Sequence, residues 1–415
     1  MTYVEFFEKD DSENVCACFT HTPDRVVFIG DKAKLMRERA ERYSGIFADR
    51  DKQIEFICKA VNKNNIASIV EALSDIIDEY GDCVFDLTGG EELYLVAMGI
   101  VFERYRDRNI QMHRFNLRNN TILDCDQDGN TISEGDAPQL SVEENIRLYG
   151  GDVIYDDQRC DATYDWDLDD DFRADIDAMW NICSRDVRQW NTQLGVLAAA
   201  EKFRDVSKDP LTDTVSLPIL KDRVSAAGGK YVFFRSIFSG LYDAGLLLSY
   251  ECDEETFSVT YKNERVKRCL IKEGQALEMK IYAIAAGAYE KDGSTTYNDV
   301  KNGVHIDWDG KIETESGHDT ENEIDVMMMR GMVPVFVSCK NGQIKTEELY
   351  KLNSVANRFG GKYAKKILVA TALGKDKDSE RIRQRAKDMN IRMVEGIQTM
   401  SDSELQKLVR TFWSA

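Results

Sequence analysis

The sequence predicts an α/β protein built from an N-terminal parallel sheet, a helical connector and a C-terminal mixed domain. Two observations predict this class. Over the first 120 residues, short apolar runs alternate with amphipathic stretches, which is the pattern of a doubly wound parallel sheet. Over the last 150 residues, a helix is followed by three closely spaced strands, then by further helices and strands.

Length and composition indicate a folded chain of two or three domains. The 415 residues exceed what one hydrophobic core usually organises, and the chain is 43% hydrophobic with only five prolines. No apolar run approaches the roughly 20 residues of a membrane span, and Met1 to Glu5 do not begin a signal peptide. We therefore expect a cytoplasmic protein without a membrane partner, whose ten cysteines are reduced thiols.

The net charge and the small number of histidines argue against several classes of function. Four widely spaced histidines argue against histidine-based metal sites and against Ser/His/Asp chemistry. The net charge of −20 argues against a surface that is coated by nucleic acid throughout. Residues 331–415, however, carry 16 Lys and Arg against 9 Asp and Glu, so a local basic face is expected there.

In the N-terminal part, the order of the elements places two loops at one edge of the predicted sheet. Ligands of such sheets bind beyond the carboxyl ends of the strands. The loop Glu8 to Asn14 follows the first strand, and Asp86 to Glu92 joins a strand to a helix. The predicted strands are Val4 to Phe7, Arg25 to Ile29, Ile54 to Val61, Cys83 to Leu87 and Ile110 to Phe115; the predicted helices are Lys34 to Tyr43, Ile66 to Tyr80 and Glu91 to Tyr105.

The turn Thr88-Gly89-Gly90 presents backbone N–H groups at the start of a helix, which favours an anion. It lacks the Gly-Lys-Ser/Thr of a phosphate loop, and Glu91 and Glu92 would repel a phosphate, so an ordinary strand-to-helix turn is the alternative. Further along, the run from Asp124 to Gly129 matches the start of a calcium loop. Its flanks resemble strands and its twelfth position is Gly135, so a hairpin turn is predicted there instead.

The connector is predicted to be mainly helical. One long helix is expected from Phe172 to Phe203, and a second from Phe233 to Ala244. A hairpin of Leu246 to Tyr250 and Thr256 to Tyr261 follows. Helices before a hairpin suggest a winged-helix module, and its acidic surroundings favour a structural or dimerising connector over a DNA reader.

The stretch from Glu321 to Lys340 is the centre of the C-terminal part. Its two apolar runs, separated by a turn near Gly331, predict a β-hairpin that brings Asp325 and Lys340 together at one end. A carboxylate that holds Mg²⁺ beside an ammonium that steadies a phosphate is suited to phosphodiester hydrolysis. A half-buried hairpin with solvated ends is the alternative.

The remaining elements of the C-terminal part follow from the same patterns. A helix is predicted from Gln275 to Ala286, and Thr346 is expected to cap a helix that ends at Gly360-Gly361. The other predicted elements are strands at Val304 to Trp308, Lys366 to Ala370 and Ile391 to Val394, and a helix at Arg381 to Met389.

These residues resemble a known family. Glu278, Asp325 and Lys340, in a helix–meander–helix–strand order, resemble the PD-(D/E)xK restriction-endonuclease superfamily. Together with the Asp86 to Gly90 turn, the chain looks like the CRISPR ancillary nucleases, in which a Rossmann-like CARF sensor domain is joined to such a nuclease. The segments that carry the likeness are Glu323 to Val326, Ser338 to Gly342, Tyr350 to Leu352 and Phe359 to Lys362. The expected domains are residues 1–138 (sensor), 139–268 (winged-helix-like connector) and 269–415 (nuclease).

The resemblance implies a homodimer in type III CRISPR antiviral defence. A cyclic oligoadenylate, expected to be cyclic tetra-adenylate, would bind across the dyad and activate cleavage of single-stranded RNA or DNA with Mn²⁺ or Mg²⁺. The sequence leaves open the ring size, the choice of RNA or DNA, and whether the sensor degrades its ligand. The expected activator-binding residues are Lys9, Asp10, Asp11, Ser12, Asn14, Thr88, Gly89 and Gly90.

One position departs from the family pattern. Many members have an acid two residues before the lysine, and here that residue is Ser338, which is a poor metal ligand. Glu347 or Glu348, at the start of the next helix, is therefore expected to supply the missing carboxylate, and Glu278 on the preceding helix to complete the site, although Glu347 and Glu348 equally suit the helix dipole. The expected catalytic residues are Asp325, Lys340, Glu323 and Ser338, and the expected metal ligands are Asp325, Glu278 and Glu348.

The basic residues of the C-terminal part suggest where a polyanion binds. Arg381 and Arg385 share one helix face, whereas Arg383 points about 160° away. We expect Arg381 and Arg385 to contact phosphates; Lys362, Lys365 or Arg358 is the alternative surface, and a solvated helix face is the alternative interpretation.

A different function also fits the sequence. A ligand-responsive winged-helix regulator of DNA, with an inactive nuclease-like domain, would also fit the order of domains, although an inactive domain has no reason to keep both Asp325 and Lys340. A dinucleotide oxidoreductase is excluded because no Gly-x-Gly-x-x-Gly follows the first strand.

Overall fold

The computed structural model describes residues 1–116, 120–155, 162–207, 209–311, 321–342, 344–374 and 376–414. It is a mixed α/β fold with three sheets, as the sequence predicts. None of the helices in these ranges is long and apolar enough to cross a membrane.

The N-terminal sheet has seven strands in the order β3-β2-β1-β4-β5-β6-β7. Strands β1 to β5 are parallel, and β6 and β7 are added as an antiparallel hairpin. This confirms the predicted parallel sheet and the hairpin around Gly129. The elements are β1 (Thr2–Phe6), α1 (Cys16–His21), β2 (Arg25–Gly30), α2 (Ala33–Ala48), β3 (Glu55–Ala60), α3 (Ile66–Tyr80), β4 (Cys83–Asp86), α4 (Glu92–Arg104), β5 (Gln111–Asn116), β6 (Thr121–Asp126) and β7 (Thr131–Asp136).

Alternation along β1 divides the core of this sheet. Val4 and Phe6 pack with α3 and α4, whereas Tyr3 packs on the other face with α1 and α2. That alternation is expected of a strand buried on both sides. The short helix α1 was not predicted, since its six residues are too few for a clear helical period.

The connector contains more elements than its sequence suggests. The single helix expected from Phe172 to Phe203 is wrong, because two helices occur there. The side chain of Asp186 accepts a hydrogen bond from the backbone N–H of Gln189 and starts the second helix. The elements are α5 (Val142–Leu148), β8 (Asp152–Val153), α6 (Asp170–Cys183), α7 (Val187–Lys202), β9 (Thr212–Ser216), α8 (Leu217–Ala226), α9 (Arg235–Asp243), β10 (Leu247–Cys252), β11 (Thr256–Tyr261) and α10 (Glu264–Ile271).

The predicted hairpin of the connector is confirmed as β10 and β11, and β9 pairs with it to form a sheet in the order β10-β11-β9. Strand β9 was not predicted. Strand β8 pairs with the C-terminal sheet rather than with this one, so the beginning of the connector contributes to a neighbouring layer.

The C-terminal sheet has six strands in the order β16-β15-β14-β13-β12-β8. The predicted three-stranded meander is confirmed as β12 to β14, and β15 and β16 extend it in parallel. Thr346 is the first residue of its helix rather than the cap, which is Lys345. The elements are α11 (Gln275–Ala286), β12 (Asp299–Asp307), β13 (Glu321–Arg330), β14 (Val333–Lys340), α12 (Thr346–Phe359), β15 (Lys365–Ala370), α13 (Lys377–Asp388), β16 (Ile391–Val394) and α14 (Asp402–Val409).

Candidate active site

The hairpin of β13 and β14 positions the first site residue. Its ladder runs from Arg330 paired with Val333 to Val326 paired with Val337, and Gly331 in the turn has a φ of +60°. Beyond the last pair, one carboxylate oxygen of Asp325 accepts hydrogen bonds from the Cys339 backbone N–H at 2.6 Å and from the Ser338 hydroxyl at 3.1 Å. The Asp325 side chain is therefore fixed by the neighbouring strand, and Ser338 orients it.

Lys340 ends β14 beside this carboxylate. Its Nζ lies 3.7 Å from Asp325 Oδ2 and 3.1 Å from Glu348 Oε2. Burial alone would lower the pKa of Lys340, but the charges of Asp325 and Glu348 outweigh it and raise the pKa. Lys340 is thus an ammonium ion at neutral pH. Asp325 and Lys340 lie close together, as the sequence predicts.

Three carboxylates converge next to the lysine. Glu278 on α11, Glu323 and Asp325 each offer an oxygen, and these oxygens lie within 4.8 Å of one another. Glu278 is only 5% exposed; burial, followed by the charge of Asp325, raises its pKa to about 8. Burial also raises the pKa of Asp325. Among the described residues, Oε2 of Glu278 is buried without a hydrogen-bond partner.

Such a group of acids fits a divalent cation. Oxygen ligands of this kind suit Mg²⁺ or Mn²⁺, and a cation would both complete the unpartnered oxygen of Glu278 and offset the burial and the repulsion that raise its pKa. Glu348, which the sequence offered as a further ligand, instead forms the ion pair with Lys340. Ser338 provides no carboxylate for the metal. Of the glutamates that could replace that carboxylate, Glu278 is the one that lies beside Asp325.

Glu323 connects the acids to a cleft that sequence reasoning missed. Its carboxylate forms an ion pair with Lys272 and lies 3.7 Å from His305 Nε2, and these positive neighbours outweigh burial and lower the pKa of Glu323. The cleft beside it has a volume of about 500 Å³, and its lining includes Tyr164, Trp166, Arg268 and Lys272. His305 and Glu323 pair across the adjacent strands β12 and β13. The lining residues of the cleft come from segments that are distant in the sequence, so no local motif predicts the cleft.

The basic residues expected to bind nucleic acid lie in different places. Arg381 is 80% exposed and pairs with Asp378 on its own helix, and Arg385 lies over the ring of Tyr350. Arg383 pairs with Glu395, as expected for a side chain that points elsewhere. Lys362 forms an ion pair with Glu13 of the N-terminal loop.

The N-terminal loops meet as their positions in the sheet predict. The carboxylate of Glu8 accepts a hydrogen bond at 2.8 Å from the backbone N–H of Gly90, so it occupies one of the N–H groups of the Thr88 to Gly90 turn. Asn14 holds the loop closed through Glu8, because its Oδ1 accepts from the Glu8 N–H at 2.7 Å and its Nδ2 donates to the Glu8 carbonyl at 3.0 Å. A Cβ at Gly89 would lie 2.4 Å from Cγ of Glu8.

The polar residues of this loop divide between two environments. Asp11 is buried, where it forms ion pairs with Arg39 and Arg42 and accepts a hydrogen bond from Tyr43. Lys9 and Asp10 line a cavity of about 470 Å³, whose walls include Arg39, Arg358 and Lys362. The Ser12 hydroxyl donates to Asp10, and Thr88 Oγ1 accepts from the backbone N–H of Phe115. The structure therefore places Lys9, Asp10 and Asp11 along this cavity, where the carboxylate of Asp11 is already paired with Arg39 and Arg42.

Comparisons with known proteins agree with this architecture. Residues 265–413 match the family model described as the endonuclease domain of Card1-like proteins. No curated protein matches the chain. Among solved structures, protein VC1899 from Vibrio cholerae is 16% identical with a TM-score of 0.73, and the match covers 100% of this chain and 98% of that one. Can2 from Sulfobacillus thermosulfidooxidans, solved with cyclic tetra-adenylate, is 16% identical with a TM-score of 0.65 and coverage of 100% and 99%.

Proposed function

We propose that this chain, which carries a Card1-like endonuclease domain at residues 265–413, is a metal-dependent nuclease activated by a cyclic oligoadenylate in type III CRISPR defence. The observation that carries the proposal is the buried group of Glu278, Glu323 and Asp325 beside the Lys340 ammonium. A structural role does not account for three converging acids, one of which is left with an unpartnered oxygen inside the protein.

The residues of the site divide the work of phosphodiester hydrolysis. Glu278, Glu323 and Asp325 would hold Mg²⁺ or Mn²⁺, which supplies Lewis acidity and a more acidic bound water. Lys340 stabilises the negative charge that develops on the phosphate, because its ammonium is preorganised by Asp325 and Glu348. Ser338 donates to Asp325 and keeps its carboxylate oriented.

The cleft beside Glu323 supports single-stranded nucleic acid as the substrate. Tyr164 and Trp166 offer half-buried aromatic rings, and Arg268 lies over the Tyr164 ring, 4.4 Å from its centroid. Aromatic rings that stack bases, next to cations that contact phosphates, are the usual combination for single strands. RNA and DNA both fit this chemistry. The face of Arg381 and Arg385 is a second candidate path for the strand.

The cavity between the N-terminal loop and the C-terminal domain supports the activator site. Can2, a protein of similar fold, binds cyclic tetra-adenylate, and we propose that ligand here too. Lys9, Arg39, Arg358 and Lys362 bring four positive charges to the cavity of about 470 Å³. Four carboxylates of the same lining balance these charges, so a phosphate would have to displace carboxylates such as Glu13 from Lys362. The Glu8 carboxylate on the Gly90 N–H occupies a position that suits a phosphate, so the activator would compete with Glu8 there.

Contacts between the loop and α12 offer a route from activator to nuclease. Asp10 accepts hydrogen bonds from the Tyr149 hydroxyl at 2.6 Å and from the Lys362 backbone N–H at 2.9 Å. Lys362 follows α12, whose first turn carries Glu348, the partner of Lys340. Because a 14-residue helix is about 21 Å long and stiff, a displacement at its end would alter the Glu348–Lys340 pair. We propose that activation proceeds through this helix.

The assembly that we propose is a cytoplasmic homodimer, with domains of residues 1–138, 139–268 and 269–415. In it, two N-terminal sheets would share one cyclic ligand across the dyad. Strand β8 of the connector would then complete the sheet of the nuclease domain.

The proposal is tested by measuring cleavage of single-stranded RNA and DNA with and without Mn²⁺ or Mg²⁺, and with and without cyclic tetra-adenylate. We expect cleavage only when both a metal and the activator are present. Asp325→Asn is the matched control, since it keeps the shape of the side chain and removes its charge. A protein that binds the activator but cleaves neither substrate with any metal would refute the nuclease assignment and favour an inactive, DNA-regulating domain.

A second variant tests the route. Lys362→Met removes the ion pair with Glu13 and leaves the backbone N–H that bonds Asp10. Because Lys362 also lines the activator cavity, activator binding is measured separately by calorimetry. If the loop acts through α12, the activator concentration for half-maximal cleavage rises more in this variant than the dissociation constant of the activator does. An equal rise in both, or no rise in either, would place the route elsewhere.

A further inference from the structure

A second group of metal-type ligands lies in the N-terminal sheet. It consists of His21, the last residue of α1, His113 on β5 and Asp124 on β6. One ligand atom from each residue lies within 4.8 Å of the others. His113 and Asp124 pair directly across adjacent strands, and α1 packs against β5. The fold thus brings together three residues that are separated by up to 103 positions in the sequence.

The contacts within the group leave one nitrogen atom available for a ligand. Asp124 Oδ1 lies 2.8 Å from Nδ1 of His113 and 3.4 Å from Nε2 of His21, and its other oxygen accepts from Ser133 at 2.6 Å. His113 is fully buried. Within the described ranges, Nε2 of His21 is buried and, apart from its 3.4 Å contact with Asp124, has no hydrogen-bond partner. Buried polar atoms are nearly always paired in native proteins, so this nitrogen calls for a ligand.

The spacing of these atoms suits a transition metal. Ligands about 2.0 to 2.1 Å from a tetrahedral zinc ion lie roughly 3.3 Å from one another. The distances of 2.8 and 3.4 Å to Asp124 lie on either side of that value, so a cation needs only a small widening of one contact.

We propose that His21, His113 and Asp124 form a zinc-type metal site that joins α1 to the N-terminal sheet. Two imidazoles and one carboxylate favour Zn²⁺, Co²⁺ or Fe²⁺, whereas the all-oxygen group of the candidate active site favours Mg²⁺ or Mn²⁺. Helix α1 begins two residues after Asn14, which closes the activator loop. The metal therefore fixes the element on which that loop ends, and its role is to stabilise the N-terminal sheet.

The test measures metal content and affinity in the full-length protein. Metal-free protein receives Zn²⁺, its affinity is measured by competition with a coloured chelator, and Co²⁺ absorption reports the geometry. We expect one tight Zn²⁺ per chain in the wild type and in Asp325→Ala, which disables the acidic group. His21→Ala should weaken that binding about 100-fold or more. His305→Ala is the matched control, because it removes a histidine near the other site and should leave the tight Zn²⁺ in place.

A second variant separates loss of metal from loss of fold. His21 ends its helix and is partly exposed, so His21→Gln is expected to fold, and circular dichroism checks this. In the wild type, one equivalent of Zn²⁺ should raise the melting temperature, and in His21→Gln it should not. Tight binding that survives His21→Ala, or a wild type that holds no tight Zn²⁺, would overturn the proposal and leave the His21 nitrogen to ordered water. Neither result depends on nuclease activity.

Discussion

Replacing Glu278 with glutamine should remove a dependence of metal affinity on pH. Burial and the charge of Asp325 raise the pKa of Glu278 to about 8, so this carboxyl group is largely protonated at pH 6 and substantially ionised at pH 8. Because a cation binds the ionised form, its apparent affinity should rise about tenfold or more between pH 6 and pH 8. Glutamine has no proton to lose, so Glu278→Gln should bind the cation more weakly and with little dependence on pH.

The assay is the Mn²⁺ concentration that gives half-maximal cleavage at pH 6, 7 and 8. The Mn²⁺ concentration at half-maximal cleavage reports the affinity for Mn²⁺, independently of the effect of pH on the maximal cleavage rate. The same raised pKa implies that the metal-free fold loses stability as pH rises from about 4.5 towards 8, and that bound metal restores it. A wild-type midpoint that moves less than about twofold, or an equal movement in Glu278→Gln, would refute the role of Glu278 as a ligand whose proton the metal displaces.

Three further predictions concern other parts of the molecule. Asp325→Ala and Lys340→Ala should each reduce cleavage about 10²-fold or more without loss of substrate binding, and near-normal rates in both would contradict their assignment. Gly89→Leu should abolish activation, because a Cβ there lies 2.4 Å from a neighbouring side chain; unchanged binding of cyclic tetra-adenylate by calorimetry would show that the pocket lies elsewhere. Substrate affinity should fall steeply with salt, and Arg381→Ala/Arg385→Ala should show a shallower slope if that helix contacts phosphates. A parental slope in that variant would point to the cleft of Lys272.

Local patterns determine most of the elements that sequence reasoning identified. The hairpin of β13 and β14 follows from two apolar runs around one glycine, and it alone places Asp325 beside Lys340. The helix from Gln275 to Ala286 begins and ends where its periodicity predicts. By contrast, the break between α6 and α7 depends on the Asp186 cap inside a run of helix-forming residues, so periodicity passes over it.

The candidate site was predictable only in part, for a physical reason. Glu278 was placed through family resemblance, and the pairing of Glu348 with Lys340 rather than with the acids depends on where α12 begins its first turn. Lys272 and His305 reach Glu323 from 51 and 18 positions away. Neither carries a local signature, because the sheet and α10 bring them together only after folding.

The length of the β13–β14 turn determines whether natural or engineered variants keep the active site. Gly331 lies six residues from Asp325, roughly 20 Å along an extended strand, and has no contact with the site. Nevertheless, a one-residue insertion or deletion there would shift one strand past the other and turn Ser338 and Lys340 to the opposite face of the sheet. Inactivating mutations in natural variants should therefore occur in this turn as well as at the three acids. Variants with such a change in the turn should fold and bind the activator but not cleave the substrate.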